Sequence, residues 1–165
     1  MQNPYEQLLG VIPDHPQLRI LHFAPADTPL AAALAALTQA RQYEYLLLSF
    51  DADAAQSLAE RYAPYPHIRV RHVTHQQARF HTQARQYDYV FVESDIPDPY
   101  RFLPRVHTAM KNAATLFVLR AHDDPQETER WRMGMEEHYF VAFNAFGLGE
   151  SLHLISAKKM HGWGG

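Results

Sequence analysis

The chain has no cysteine, which removes disulfides, thiolate nucleophiles, iron–sulfur clusters and cysteine-type zinc sites together. It has no excess of positive charge, since fifteen Lys and Arg against eighteen Asp and Glu give a formal charge of −3. Affinity for phosphate backbones rests on many Lys and Arg contacts, so nucleic acid is not an expected partner. No stretch approaches the roughly 18 apolar residues of a membrane span, and Met1-Gln2-Asn3-Pro4-Tyr5-Glu6 has neither the basic start nor the apolar run of a signal peptide. The expectation is a cytoplasmic protein that does not enter a membrane.

Several catalytic signatures are also missing. There is no Gly-x-Ser-x-Gly elbow, no Gly-x-x-x-x-Gly-Lys phosphate loop and no His-Glu-x-x-His pair. Gly147-Leu148-Gly149 lacks the strand–turn–helix setting of a dinucleotide fingerprint. The eleven histidines show no ligand spacing and read as surface or capping groups, so no metal is expected.

What is present is an ordinary globular composition, 47% hydrophobic and 20% charged, in a chain of 165 residues, long enough to bury about 70% of its unfolded surface. The expectation is one domain over residues 1–165, with a core over 18–158 and a flexible tail from 159 to 165. Short β-branched and aromatic runs alternate with stretches whose apolar residues recur every three or four positions, an α/β rhythm. Strands are expected over Leu18–Ala24, Tyr45–Phe50, Ile68–Thr74, Tyr89–Glu93 and Thr115–Arg120. Runs such as Tyr45-Leu46-Leu47-Leu48 and Tyr89-Val90-Phe91-Val92 suit parallel strands buried on both faces.

Helices are expected over Thr28–Gln42, with Thr28 as N-cap and Pro29 at the first position, over Asp53–Tyr62, over His75–Gln86 with the thin apolar face Ala78, Phe80 and Ala84, and over Pro99–Asn112, where Pro104 delays or bends the start. A further helix begins at Asp124-Pro125 and turns Trp131 and Met135 inward. His138–Phe146 and Ser151–Lys158, joined by Gly147-Leu148-Gly149-Glu150, read as an antiparallel hairpin. The basic run Arg69-Val70-Arg71-His72, continued by His75, Arg79, His81 and Arg85, reads as a solvated strand edge and helix face, with a nucleic-acid or acidic-partner patch as the alternative.

Five strand–helix units followed by an antiparallel hairpin resemble the class I methyltransferase fold, a Rossmann-like, mostly parallel sheet with helices on both faces. The motif order is similar too. Leu18-Arg19-Ile20-Leu21-His22-Phe23-Ala24-Pro25-Ala26-Asp27 resembles the first strand and cofactor loop, Leu48-Ser49-Phe50-Asp51-Ala52-Asp53 the second strand ending in an acid, and Tyr87-Asp88-Tyr89-Val90-Phe91-Val92-Glu93 the fourth strand. Met110-Lys111-Asn112-Ala113-Ala114-Thr115-Leu116-Phe117-Val118-Leu119 is similar to the turn into the fifth.

The resemblance implies an S-adenosylmethionine site at the carboxyl ends of the strands, where the strand order reverses. Its cofactor side would comprise Ala24, Pro25, Ala26, Asp51, Ala52 and His75. Asp51 would accept from the ribose hydroxyls, or it caps the helix that follows. Glu93, Ser94 and Asp95 would face the substrate. The pattern departs from the family where it matters most: the loop after the first strand holds no glycine, His22 stands in place of an acid, and His75 stands where an acid commonly follows the third strand. Two functions follow. One is a methyltransferase of unknown acceptor. The other is a non-catalytic interaction protein on the same fold, as a homodimer or beside another protein; a binder of a different nucleotide or small metabolite is a third possibility.

Overall fold

In the computed structural model, which describes residues 3–80 and 84–160, a seven-stranded sheet runs in the order β3-β2-β1-β4-β5-β7-β6. The strands are β1 (Arg19–Phe23), β2 (Glu44–Ser49), β3 (Ile68–His72), β4 (Tyr87–Val92), β5 (Met110–Arg120), β6 (Phe140–Leu148) and β7 (Leu152–Lys159). The first five are parallel, and β7 inserts antiparallel between β5 and β6. This is the Rossmann-like architecture with a C-terminal hairpin that the alternating pattern implies. Strand β7 runs through Lys159, one residue past the expected core, and residues 161–165 of the expected tail lie outside the described residues.

Among the described residues five helices cover the sheet: α1 (Pro4–Leu9), α2 (Pro29–Arg41), α3 (Ala52–Tyr62), α4 (Pro99–Ala109) and α5 (Pro125–Glu137). Each begins with a side-chain cap, from Asn3, Thr28, Asp51, Asp98 and Asp124 in turn, which satisfies amides that have no partner inside the helix. One face of the sheet packs Ile20, Leu47 and Phe91 under Leu8, Leu30, Leu34 and Leu58. The other packs Phe23, Val90 and Val92 under Phe102, Val106, Trp131 and Met135. Trp131 and Met135 are fully buried, as the α5 pattern predicts.

The fold departs from the expected elements at several places. The first six-residue helix, α1, was not foreseen, although Asn3-Pro4 is a cap followed by proline at the first position. Pro104 lies inside α4 without moving its start, which remains Pro99. The helix expected over His75–Gln86 is absent among its described residues. Ala78 and Ala84 are exposed, and Phe80 alone reaches the core, 2% exposed. One aromatic anchor can hold a loop, but three small or isolated apolar residues cannot bury a helix face.

The helix expected through Asn112 stops at Ala109 for a related reason. The backbone amides of Arg85 and Gln86 take the carbonyls of Thr108 and Ala109, both at 2.9 Å. The buried Lys159 Nζ donates to His107 O at 2.8 Å and Met110 O at 2.9 Å. With its last carbonyls satisfied from outside, the chain passes straight into β5.

His107 sits at this junction against Phe140, ring centroids 5.4 Å apart. Burial, then the Lys159 and His138 charges, push its pKa down to about 4. Between that value and the usual 6.5, the unfolded chain holds a proton on His107 and the folded one does not. Stability is therefore complete above about pH 6.5 and declines as pH falls toward 4. Discounted for solvent screening at a half-buried ring, the loss is about 1 kcal/mol. Denaturant melts of the His107→Gln variant should show a flatter pH dependence across this window than the wild type.

Candidate functional site

No glycine lies between Gly10 and Gly134, so the turn out of β1 must be built from residues with side chains. Ala24 extends the ladder, its amide donating to Leu48 O at 2.9 Å, and the chain then turns through Pro25, Ala26 and Asp27. None of Ala24 to Thr28 has positive φ, so the loop avoids the left-handed strain that glycine would otherwise absorb. Side chains hold it. Asp27 accepts from the Tyr62 hydroxyl at 2.7 Å and from Arg61 Nε at 3.4 Å, tying the loop to α3. Ala24 is buried, whereas Pro25, Ala26 and Asp27 are exposed, leaving the loop accessible from the carboxyl end of the sheet.

Beneath the loop lies a buried polar chain that crosses three strands. His22, fully buried on β1, has Nδ1 2.6 Å from the Tyr45 hydroxyl of β2 and Nε2 2.7 Å from Glu93 Oε1, just past the end of β4. Burial, followed by Tyr62, Glu93 and Asp27, raises the Tyr45 phenol well above its usual range, so Tyr45 keeps its proton and donates it. Nδ1 is therefore the acceptor, and Nε2–H donates to the carboxylate.

Glu93 Oε1 also accepts from Thr28 Oγ1 at 2.6 Å, while Thr28 Oγ1 accepts from the Ala31 amide at 3.2 Å to start α2. The Glu93 side chain is 11% exposed. Tyr5 of α1 feels its charge, the phenol being raised by burial and then by Glu93. Replacing Tyr45 with Phe removes the donor to Nδ1 and leaves a buried acceptor unpaired, which costs about 1 kcal/mol. Chemical denaturation of Tyr45→Phe checks this, and an unchanged midpoint would argue against the hydrogen-bond direction.

The other candidate residues arrange around this chain. Asp51 stands two residues past the end of β2 and caps α3, its Oδ1 accepting from the Asp53 amide at 3.0 Å. Asp51 and Ala52 are exposed at that turn. His75 stacks on Phe50 with ring centroids 3.8 Å apart and planes at 11°; burial and then the charge of Arg105 lower its pKa. After β4, the amides of Glu93 and Ser94 both donate to Phe23 O. Ser94 is buried with its Oγ unpartnered, and Asp95 is exposed. The loops after β1, β2 and β4 thus meet at one end of the sheet, where β1 and β4 lie side by side and the strand order reverses.

The part played by His22, Tyr45 and Thr28 was not apparent in the sequence beyond His22 being out of place. The available signal was a lone polar residue in a buried strand, with a glutamate at the same face parity ending another. Among the described residues, no three His, Asp or Glu side chains converge as a metal site, and no helix is long and apolar enough to cross a membrane.

No protein-family model matches the chain, and no curated protein does. Solved structures do. An S-adenosylmethionine-dependent O-methyltransferase from Thermotoga maritima superimposes with a TM-score of 0.74 at 12% identity, over 96% of this chain and 65% of that one. A methyltransferase from Aquifex aeolicus gives 0.75 at 12% identity, over 93% and 88%. The complex of the Haloferax volcanii Trm112 methyltransferase activator with its methyltransferase partner gives 0.76 at 10% identity, over 96% and 89%. Others are carbon methyltransferases about half of whose length the chain spans. At these identities the likeness establishes the fold: the chain has the class I methyltransferase-like fold.

Proposed function

We propose that the chain binds S-adenosylmethionine at the carboxyl ends of β1, β2 and β4 and transfers its methyl group to a small acceptor. The observation that carries this reading is the loop Ala24–Thr28, which completes its turn without positive φ and leaves Pro25, Ala26 and Asp27 exposed. The side chains of Pro25, Ala26 and Asp27 thus stand in solvent rather than packing down onto the ends of the strands. The residues fit the ligand's polar groups. Asp51 caps α3 with Oδ1, which leaves Oδ2 for ribose hydroxyls. Glu93 uses Oε1 for His22 and Thr28, which leaves Oε2 for the methionine ammonium.

Ala24, Pro25, Ala26 and Ala52 line the backbone side, and His75 with Phe50 forms the aromatic flank. Asp95, exposed after β4, faces the acceptor; the Ser94 Oγ, buried without a partner, does not reach that surface. When bound, the cofactor would supply an activated methyl on a sulfonium for a nucleophilic atom of the acceptor, with S-adenosylhomocysteine as the leaving group. Calorimetry tests the reading: saturable heat with S-adenosylmethionine, weakened at least tenfold by Asp51→Ala, supports it, and no heat at millimolar ligand overturns it.

A second reading, a non-catalytic protein that pairs with its own copy, is favoured by edge strand β6. Tyr139 to Leu148 contains no charged residue, and Tyr139, Val141 and Phe146 are 66%, 39% and 36% exposed. The opposite edge, β3, carries exposed Arg69 and Arg71, and charge on an edge strand discourages pairing. Two identical uncharged strands can pair antiparallel about a two-fold axis. Sedimentation of wild type and Phe146→Lys decides: a dimer lost in the variant supports the pairing, and a monomeric wild type removes it.

A further inference from the structure

The charge on this chain is unevenly placed. Residues 61–87 hold five arginines and no Asp, Glu or Lys, a formal +5 that leaves −8 on the rest of a chain whose total is −3. The structure folds part of this segment, residues 75–80, against α4, and between them lies a pocket of about 240 Å³ lined by His75, Ile96, Pro97, Asp98, Arg101 and Arg105. We propose that this pocket receives the anionic group, a carboxylate or phosphate ester, of a small acceptor molecule. The inference rests on the methyl-transfer reading for the word acceptor, and on the pocket itself for the anion.

Arg101 and Arg105 are one turn apart on α4, and among the described residues neither guanidinium forms an ion pair. Arg105 is positioned rather than free. Its Nη1 donates to His75 O at 2.8 Å and Gln77 O at 2.6 Å, its Nε donates to Arg101 O at 3.1 Å, and its guanidinium lies 4.6 Å above the Phe80 ring. These contacts spend the guanidinium on backbone carbonyls and a π-face, none of which neutralises it. Burial and the neighbouring Arg101 charge lower the Arg105 pKa, as two unscreened like charges would.

Asp98 is the pocket's one carboxylate, and its Oδ1 is engaged by the Arg101 amide at 3.3 Å as the α4 cap. Two guanidiniums against one carboxylate leave a net positive pocket beside the positive end of a helix, a setting that favours an anion.

The position suits an acceptor. Ile96 and Pro97 directly follow Glu93, Ser94 and Asp95, and His75 forms a shared wall through its stack on Phe50, the residue before Asp51. An anion held at Arg101 would leave the remainder of a small molecule lying toward the crevice.

The test uses the full chain and inorganic phosphate, followed by calorimetry at constant ionic strength, with wild type, Arg101→Gln and Arg79→Gln. The wild type should bind phosphate saturably in the millimolar range, Arg101→Gln should weaken it at least tenfold, and Arg79→Gln, outside the pocket, should change it less than twofold. S-adenosylmethionine affinity should stay within twofold in Arg101→Gln. Absence of phosphate binding, or equal binding by wild type and Arg101→Gln, overturns the proposal. So does a short single-stranded RNA that binds more tightly than phosphate and is weakened alike by both substitutions, which would make the segment a polyanion surface. Phosphate binding without S-adenosylmethionine binding would sink the methyl-transfer reading and keep the anion site.

Discussion

Replacing Glu93 with alanine should lower the unfolding free energy by about 2–4 kcal/mol and abolish S-adenosylmethionine binding. The stability loss follows from what Glu93 holds. Its carboxylate accepts from the fully buried His22 at 2.7 Å and from Thr28 at 2.6 Å. Truncation strands the Nε2–H of the fully buried His22, and an unsatisfied buried donor costs about 1–3 kcal/mol, more when its partner was charged. Thr28 loses its acceptor but keeps the Ala31 amide, so α2 still starts.

The binding loss has a separate cause, removal of the carboxylate that links His22 of β1 and Thr28 at the end of the β1 loop to the end of β4. Glu93→Gln separates the two effects, because the amide oxygen can still accept from both His22 and Thr28 while the charge is gone. It should retain most of the stability and little of the binding. Urea melts and calorimetry on both variants check this, and Glu93→Ala binding the ligand like wild type would remove Glu93 from the site.

The second large effect is expected at Phe80. Its ring packs edge-on against Phe23 at 5.1 Å, lies 5.7 Å from Phe102 and 6.2 Å from Phe50, and supports the Arg105 guanidinium. Phe80→Ala empties that volume and should cost about 3–5 kcal/mol, as large-to-small core changes of aromatic residues do. Residues 75–79 have no helix to hold them, so the effect should extend beyond stability. Amide exchange over 75–79 should accelerate by more than exchange in β1 and β4, since loss of one anchor frees the segment locally. Uniform acceleration across the chain would mean that Phe80 is an ordinary core residue.

The sheet was readable because its strands are near-continuous apolar runs, such as Leu46 to Leu48 and Val90 to Val92, buried on both faces. Glycine-bearing turn residues marked the hairpin between β6 and β7, with Gly149 at φ 64°. The segment after β3 was misread because spacing alone does not distinguish a thin helical face from one anchor in a loop. Ala78 and Ala84 supply little area, and the arginine that fixes the loop comes from α4, twenty-eight residues beyond Gln77.

The site was readable only in part. Asp51 and Glu93 announce themselves as acids near strand ends. The chain Tyr45–His22–Glu93 joins residues 23 and 71 positions apart, and nothing local to any one strand records it. The side-chain tether Asp27–Tyr62 replaces a glycine turn by a contact 35 residues away, which is equally silent in the β1 loop itself.

A crystal structure grown with excess S-adenosylhomocysteine tests the central claim most directly. Electron density for the ligand across the ends of β1 and β4, with its ribose at Asp51 and its amino group at Glu93, is the predicted result. Fully occupied crystals of the protein with that crevice filled only by solvent, at ligand concentrations that saturate active methyltransferases, would contradict it.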